Sequence, residues 1–229
     1  MKDFKKNGET VLLGQERIPV IGSYDVVVVG GGMAGVGAAL AAAGEGCKTL
    51  IIENTSALGG IATMGIVNIP LDFVSGYGKK FFTEMEKLDG IRSRNSNPET
   101  HKLVFDRMVR DAGCDVLLVT PVIDTLTEGN TVVGVIVYTK KGKAAVFGKR
   151  FVDASGDSDL VYLGGGETVT GREGDGMSMG CSLEFVLGGV DYDAYRESEV
   201  RATDPKWVDL IRRSLENGEL PYEIDNHLN

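Results

Sequence analysis

The chain has 229 residues, of which 42% are apolar, with a net charge of −9 and a pI near 4.8. That length admits one large domain, or one domain and part of a second, around a sizeable core. The acidic balance, with no Lys/Arg-rich stripe to offset it, argues against a nucleic-acid partner, and the pair Lys140-Lys141 beside Gly142 reads as a hairpin tip. Cys47, Cys114 and Cys181 are far apart, form no C-x-x-C, and are joined only by His101 and His227. The sequence therefore offers no metal-ligand cluster, and its odd, sparse thiols fit a reducing cytoplasm. The opening MKDFKKNGET carries charge with no apolar run behind it, unlike a secretory signal. No stretch approaches the ~20 apolar residues of a membrane span. Glycine is the outlier at 32 residues, clustered at Gly30–Gly32, Gly59-Gly60, Gly164–Gly166 and Gly188-Gly189, as where backbone approaches a ligand or another element closely.

In chain order, residues 1–23 read as a polar leader. Asp25–Val29 is a β-branched run, apolar on both faces as a central parallel strand should be, and the glycines that follow end it. Met33–Gly44 is small and apolar and reads as a buried helix, ended at Gly46. Lys48–Glu53 reads as a second strand, which makes a βαβ unit within ~30 residues. Residues 54–78 read as a long loop. Lys79–Leu88 is predicted helical, with Phe81, Phe82, Met85 and Leu88 on one side. Residues 92–97 read as a polar loop, and Pro98–Ala112 as a helix with Leu103, Val104, Met108 and Val109 inward. Asp115–Val119 is a third strand. Val122–Thr127, Thr131–Thr139 and Lys143–Gly148, separated by Glu128-Gly129-Asn130 and Lys140-Lys141-Gly142, form an antiparallel meander. Arg150–Ala154 returns as a buried strand. Beyond it come a predicted strand, Ser178–Leu187, and two polar helices, Tyr192–Arg201 and Pro205–Asn217. The fold class is α/β: a Rossmann-like parallel sheet with a β-meander crossover, then the start of a mixed α+β domain, with a boundary near Gly174.

Gly30-Gly31-Gly32-Met33-Ala34-Gly35 fits G-x-G-x-x-G, and Glu53 ends the next strand 23 residues after Gly30. Between a strand and a helix, that pattern is the fingerprint of a dinucleotide site. Gly30 permits the tight turn, Gly32 lets a pyrophosphate reach the backbone, and Gly35 lets the helix pack on the strand. The free N–H groups of the first helical turn, at Met33 and Ala34, hold the phosphates with the positive end of the helix dipole. Glu53 accepts hydrogen bonds from a ribose diol and repels a 2′-phosphate, and Asn54-Thr55 supplies no Arg for one. The ligand is then NAD or FAD, not NADP.

A meander after the third strand, in place of further helical crossovers, separates the two. With YDVVVVGGGMAGVGAALAAA, LIIENTSALGGIATMGIVN, FVDASGDSDLVYLGG and GREGDGMSMGCSLEFVLGGVD, the chain resembles the FAD-dependent oxidoreductases of the glutathione-reductase-type flavoprotein fold over most of residues 24–191. The family usually has Pro where Met33 stands and Thr where Ser155 stands. The resemblance implies FAD and a hydride-transferring flavoenzyme. It implies that Glu53, with Asn54 beside it, meets the ADP ribose. Leu58-Gly59-Gly60 then lies against the flavin end, with Ile61, Ala62 and Thr63 nearby, and Val122 touches adenine through its backbone. Ala154, Ser155 and Gly156 close on the ADP moiety, with Asp157 near the phosphates, where it competes with a reading as a helix N-cap. It implies a FAD-binding domain at 24–173 and a partial substrate or cap domain at 174–229. The family's last return to the cofactor domain has no counterpart in this sequence, so a partner chain, a homo-oligomer or a shortened chain is expected.

Cys181 reads as a small buried residue and His101 as a surface residue near a helix start. Arg172, in Gly-Arg-x-Gly-Asp-Gly, is a candidate for an anionic substrate. His227 lies at the end of the chain. No catalytic acid or base stands out. Two alternatives to a FAD-dependent oxidoreductase acting on a small organic substrate remain open. One is an NAD-binding enzyme like the thiazole synthases, and the other is a non-catalytic FAD-binding subunit that needs a partner chain.

Overall fold

The structure, a computed structural model, describes residues 4–7, 10–13, 16–68, 75–92, 95–204 and 207–219. It divides into two compact units, 1–184 and 185–229. The first holds a hairpin, β1 (Phe4–Asn7) with β2 (Thr10–Leu13), and a six-stranded sheet. In chain order, the rest of this unit is β3 (Val20–Val29), α1 (Met33–Gly44), β4 (Thr49–Ile52), a 3-10 turn at Gly60–Ala62 and α2 (Gly76–Lys87). Next come the short pair β5 (Ile91–Arg92) and β6 (Asn95–Ser96), then α3 (Pro98–Asp111), β7 (Asp115–Leu117), β8 (Val122–Glu128), β9 (Thr131–Thr139), β10 (Gly142–Asp153) and α4 (Asp159–Leu163). The sheet order is β7-β4-β3-β10-β9-β8. The first four strands are parallel, and β9 and β8 continue the sheet antiparallel.

The valine run of β3 explains the layering. Successive side chains of a strand point to opposite faces. Val28 joins Val36, Ala39, Leu40, Ile51, Phe81 and Val104 under the helices, while Val27 and Val29 join Leu50, Ile52, Val135, Val137 and Val146 on the meander side. Both faces of the central strands are buried, as the run predicts. α1 is built of small residues and lies close to the sheet, and Asn97 caps α3 by accepting from the N–H groups of Glu99 and Thr100, ahead of Pro98.

Several expectations are corrected. The strand expected from Asp25 starts at Val20, so the end of the leader is strand, paired with β10 through Ala145↔Val20 and Val146↔Gly22. Val20 and Ile21 are exposed there, which is why the pattern did not mark them. The separate strands expected at Lys143–Gly148 and Arg150–Ala154 are one continuous strand, β10. Gly148 does not turn the chain; a Cβ on it would stand 2.8 Å from Val27 Cγ2 and 3.0 Å from the Phe151 ring. In α3, Phe105 faces inward and Leu103 outward; in α2, Leu88 is exposed just past the helix end.

Ser178–Leu187, expected as a strand, has no regular structure, and Met179 and Leu183 are 93% and 91% exposed. A strand persists only when its backbone groups find a ladder, and none of the described strands pairs with this stretch. The second unit contains α5 (Tyr192–Glu197), α6 (Glu199–Thr203) and α7 (Val208–Glu216), with Tyr195 ringed by Tyr192 and Trp207 at 6.2 and 6.1 Å. The single helix expected over Tyr192–Arg201 breaks at Ser198, whose hydroxyl accepts from Arg201 N–H and starts a new helix. The start expected at Pro205 lies outside the described residues.

Candidate functional site

The carboxyl ends of β3, β4 and β10 open into a cleft of about 680 Å³. Three glycines shape its floor for three different reasons. Gly30 has φ +100°, a conformation L side chains avoid, and a Cβ there would collide with the Ala154 carbonyl. A Cβ on Gly35 would overlap the Gly30 carbonyl oxygen, so Gly35 sets how closely α1 packs on the turn. Gly32 is different. It sits at φ −67°, ψ −174°, extended backbone open to any residue, and beyond its chain neighbours no atom lies within 4 Å of where its Cβ would stand. Nothing in the fold demands glycine at that position; a ligand laid on the backbone would.

Gly32 is the N-cap of α1 and provides no side-chain cap, and the first turn has no acidic residue. Met33 and Ala34 in that turn line the cleft, where the positive end of the helix dipole is unopposed by an acid of its own helix. The Gly59-Gly60 turn is clamped onto the same loop. Gly59 N–H donates to Gly31 O (2.8 Å), Gly32 and Gly59 form a parallel bridge, and a Cβ on Gly60 would stand 3.1 Å from Gly32 Cα. The two glycine clusters of the sequence thus meet.

Glu53, 6% exposed, holds the arrangement together. Its Oε2 accepts from Gly31 N–H and its Oε1 from Thr55 N–H, both at 2.6 Å. A carboxylate has about four acceptor positions, so two are used within the protein and others remain for a diol in the cleft. The loop between β7 and β8 is fastened beside it, with Thr120 N–H on Glu53 O and Val119 N–H on Thr55 O, each at 2.9 Å. That brings Thr120, Pro121 and Val122 to the wall next to Glu53 and Asn54.

The opposite wall is Ala154-Ser155-Gly156-Asp157. Ala154 N–H donates to Val29 O (2.8 Å), and Gly156 turns at φ +94°. This turn depends on Asp153, which the sequence reading passed over. Asp153 Oδ1 accepts from the Ser155 hydroxyl (2.7 Å) and Ser155 N–H (3.1 Å), and Oδ2 accepts from Val161 N–H (2.9 Å). Burial pushes the Asp153 carboxyl up, but the bonds from Ser155 and Val161 outweigh it and hold it below the usual carboxylate range. The available signal was a carboxylate at the end of a buried strand, two residues before a serine. Ser155 Oγ also accepts from Asp159 N–H, so Ser155 and Asp153 cap α4. The N-cap position belongs to Ser158, which corrects the reading of Asp157 as the cap.

Of the residues singled out from sequence, Gly30, Gly32, Met33, Ala34, Glu53, Asn54, Gly59, Gly60, Ile61, Val122, Ala154, Ser155, Gly156 and Asp157 all line this one cleft. Gly35, Ala62 and Thr63 do not. Gly35 lies behind the turn, Ala62 is buried, and the Thr63 hydroxyl donates to Leu58 O (2.8 Å), closing the Gly59 turn from below.

His101, expected on the surface, is fully buried in α3 against the rings of Phe81 (4.4 Å) and Phe105 (4.6 Å), and neither of its nitrogens has a partner among the described residues. Burial pushes its pKa down to about 4. His101, Val104, Phe105 and Met108 share one helical face by their i, i+3, i+4, i+7 spacing, a signal the sequence did contain. Cys181, expected buried, is exposed. Arg172 is held by a two-pronged bond to Asp175 (2.6–3.0 Å), so its guanidinium fork is already engaged. His227 lies outside the described residues. Among the described residues no helix is long and apolar enough to cross a membrane.

Comparison with known proteins agrees with this geometry. The family model described as FAD dependent oxidoreductase matches residues 25–225. The tRNA uridine 5-carboxymethylaminomethyl modification enzyme MnmG of Geotalea uraniireducens is 29% identical over 222 residues, which cover 87% of this chain and 35% of that protein. The enzyme of the same name from Dichelobacter nodosus is 26% identical over 90% of this chain and 35% of its own length. The chain thus spans about a third of the length of these relatives. Among solved structures, a flavin-dependent brominase superposes with a TM-score of 0.51 at 21% identity, covering 62% of this chain and 40% of that one; the likeness is one of fold. With the match running through the whole cleft and well beyond it, the chain belongs to the FAD-dependent oxidoreductase family, a class of flavoenzymes whose cofactor is FAD.

Proposed function

We propose that the chain lays the ADP half of FAD across Gly32, with the ribose diol on Glu53 and adenine against Val122, and that the flavin exchanges a hydride with a small organic substrate. Gly32 carries this reading: a glycine that neither its own backbone angles nor its neighbours require, at the head of α1 and facing the cleft. Each part of the chain has its task. The N–H groups of Met33 and Ala34 meet the diphosphate. Glu53 orients the ribose while it ties the loop of Gly31 to that of Thr55. Gly59, Gly60 and Ile61 bring backbone and one exposed apolar side chain to the far side of the Gly32 loop, where the isoalloxazine would lie. The flavin supplies the hydride chemistry and the protein supplies placement and electrostatics. This reading takes residues 24–173 as the FAD-binding domain and 174–229 as part of a substrate or cap domain, in a cytoplasmic protein that assembles with a partner chain or a second copy.

Heat release of the cofactor, followed by chromatography of the supernatant, tests the proposal. FAD at about one per chain is expected; an NAD-derived adenylate in its place would favour the reading as a thiazole-synthase-like enzyme. Light scattering on the purified protein tests the assembly. A second reading has one observation behind it: the curated relatives described above are named as tRNA-modifying enzymes. The net charge of −9 opposes a polyanionic substrate on this chain. A gel-shift titration with unfractionated tRNA is expected to show no complex at physiological salt, and a salt-sensitive complex would replace the small substrate with tRNA.

A further inference from the structure

The ionisable residues lining the cleft are all acidic: Glu53, Asp157 and Asp159, with no Lys, Arg or His among the described residues there. Glu53 is committed to Gly31 and Thr55. Asp157 and Asp159 are exposed, and no described residue donates a hydrogen bond or a salt bridge to either carboxylate. They follow the Ala154–Gly156 turn and line the same cleft as Met33 and Ala34 at the head of α1. Attraction for a diphosphate in this cleft comes from backbone N–H groups and the dipole of one helix, and two carboxylates oppose it.

That balance depends on how much charge the diphosphate carries. In a dinucleotide the diphosphate is esterified at both ends and has one charge on each phosphate. In ADP the outer phosphate carries no ester and, like a phosphate monoester, bears close to one charge more above a second pKa of about 6. We propose that Asp157 and Asp159 are specificity-determining residues that select doubly esterified diphosphates and turn away ADP, so that free nucleotides do not occupy the site of FAD. The inference rests on the FAD reading above and deepens it. Backbone donors alone would hold either ligand, and the two carboxylates separate them by repelling the extra charge. Screening reaches exposed charges of this kind, so the discrimination weakens as salt is added.

The test is a pair of displacement titrations, ADP and ADP-ribose against bound FAD, on the wild type, Asp157→Asn, Asp159→Asn and the double variant. Glu128→Gln, at the exposed β8–β9 hairpin and outside the cleft, controls for net charge. The wild type is expected to bind ADP-ribose more tightly than ADP. Each cleft variant should lower the ratio of their dissociation constants about three- to tenfold, as one unit charge a few ångströms away in partly aqueous surroundings would, and Glu128→Gln should leave it unchanged. A ratio that stays constant across all variants overturns the proposal while FAD binding stands. So does an Asp157→Asn variant that weakens both ligands equally, which would make Asp157 a hydrogen-bonding partner. If neither FAD nor ADP-ribose binds the wild type, the FAD reading itself has failed and this proposal falls with it.

Discussion

Gly31 donates its N–H to Glu53 across 22 residues of sequence at 2.6 Å, and Gly31 O in turn receives the N–H of Gly59. One residue of the glycine loop thus joins the end of β4 to the second glycine turn. The acid expected to serve only the ribose has a structural task as well, and substitution at Glu53 should affect both folding and binding.

Glu53→Gln keeps the shape but loses the charge. One of its two backbone bonds is lost, because an amide has a single acceptor oxygen and both partners are N–H donors. Affinity for FAD should fall about ten- to hundred-fold, the equivalent of ~1.5–3 kcal/mol for bonds to a charged group. The melting temperature should fall by about 2–4 °C for each kcal/mol of native bonding lost. Flavin titration and a thermal melt on the same variant measure the two effects. Unchanged affinity would remove Glu53 from the ribose.

His101 makes the stability depend on pH in a definite direction. Its pKa is about 6.5 when unfolded and is pushed down to about 4 in the fold by burial between Phe81 and Phe105. The folded state therefore binds fewer protons than the unfolded chain between these values. The stability linked to neutral His101 is complete above pH 6.5 and is lost as pH falls toward 4, up to about 3 kcal/mol. Chemical denaturation of wild type and His101→Phe at pH 7.5 and pH 4.5 isolates this group from the carboxylates. The variant should gain about 2–3 kcal/mol on the wild type over that interval, and a constant difference would contradict the burial of a neutral imidazole.

Val119 carries a φ of +52°, is 60% exposed and adjoins Thr120 of the cleft wall. A β-branched residue is strained in the left-handed region by about 1–2 kcal/mol. Val119→Gly should therefore stabilise the protein, by about 0.5–1 kcal/mol once the greater entropy of an unfolded glycine is counted. A thermal melt raised by about 1–4 °C is expected, and a lowered one would show that the side chain packs better than its exposure indicates.

What the sequence made legible was governed by local rules. The run Val26–Val29, the fingerprint Gly30–Gly35 and the turn signals at Gly129 and Gly142 each constrain the backbone within a few residues, and β3, α1, β4 and the meander follow from them. The misreadings came from residues whose role is set by distant neighbours. The strand expected to end at Gly148 runs on through it, and the missing side chain makes room for Val27 and Phe151. Val20 and Ile21 pair with β10 while their side chains face outward, so no burial pattern marks them. His101 lies on an apolar helical stripe whose partner Phe81 is 20 residues away. Ser178–Leu187 reads like a strand, but such a stretch makes a strand only where a neighbouring strand is available. In the cleft the glycines and Glu53 were legible, whereas Asp153, which acts through Ser155 and Val161 on a turn, was not.

In the proposed binding mode Gly32 is glycine for the sake of the cofactor, while Gly35 is glycine for the sake of the fold. Gly32→Val and Gly35→Val, compared by flavin absorbance after purification and by thermal melt, separate the two roles. At Gly32 a side chain meets open space and permitted backbone angles. The variant should lose its flavin yet melt within about 2–4 °C of the apo wild type, the cost of a poorer N-cap. At Gly35 the new side chain would overlap the Gly30 carbonyl. That variant should melt far lower, by more than the ~1–3 kcal/mol of ordinary overpacking. A Gly32→Val protein that keeps FAD at the wild-type ratio would show that the cofactor does not lie on Gly32.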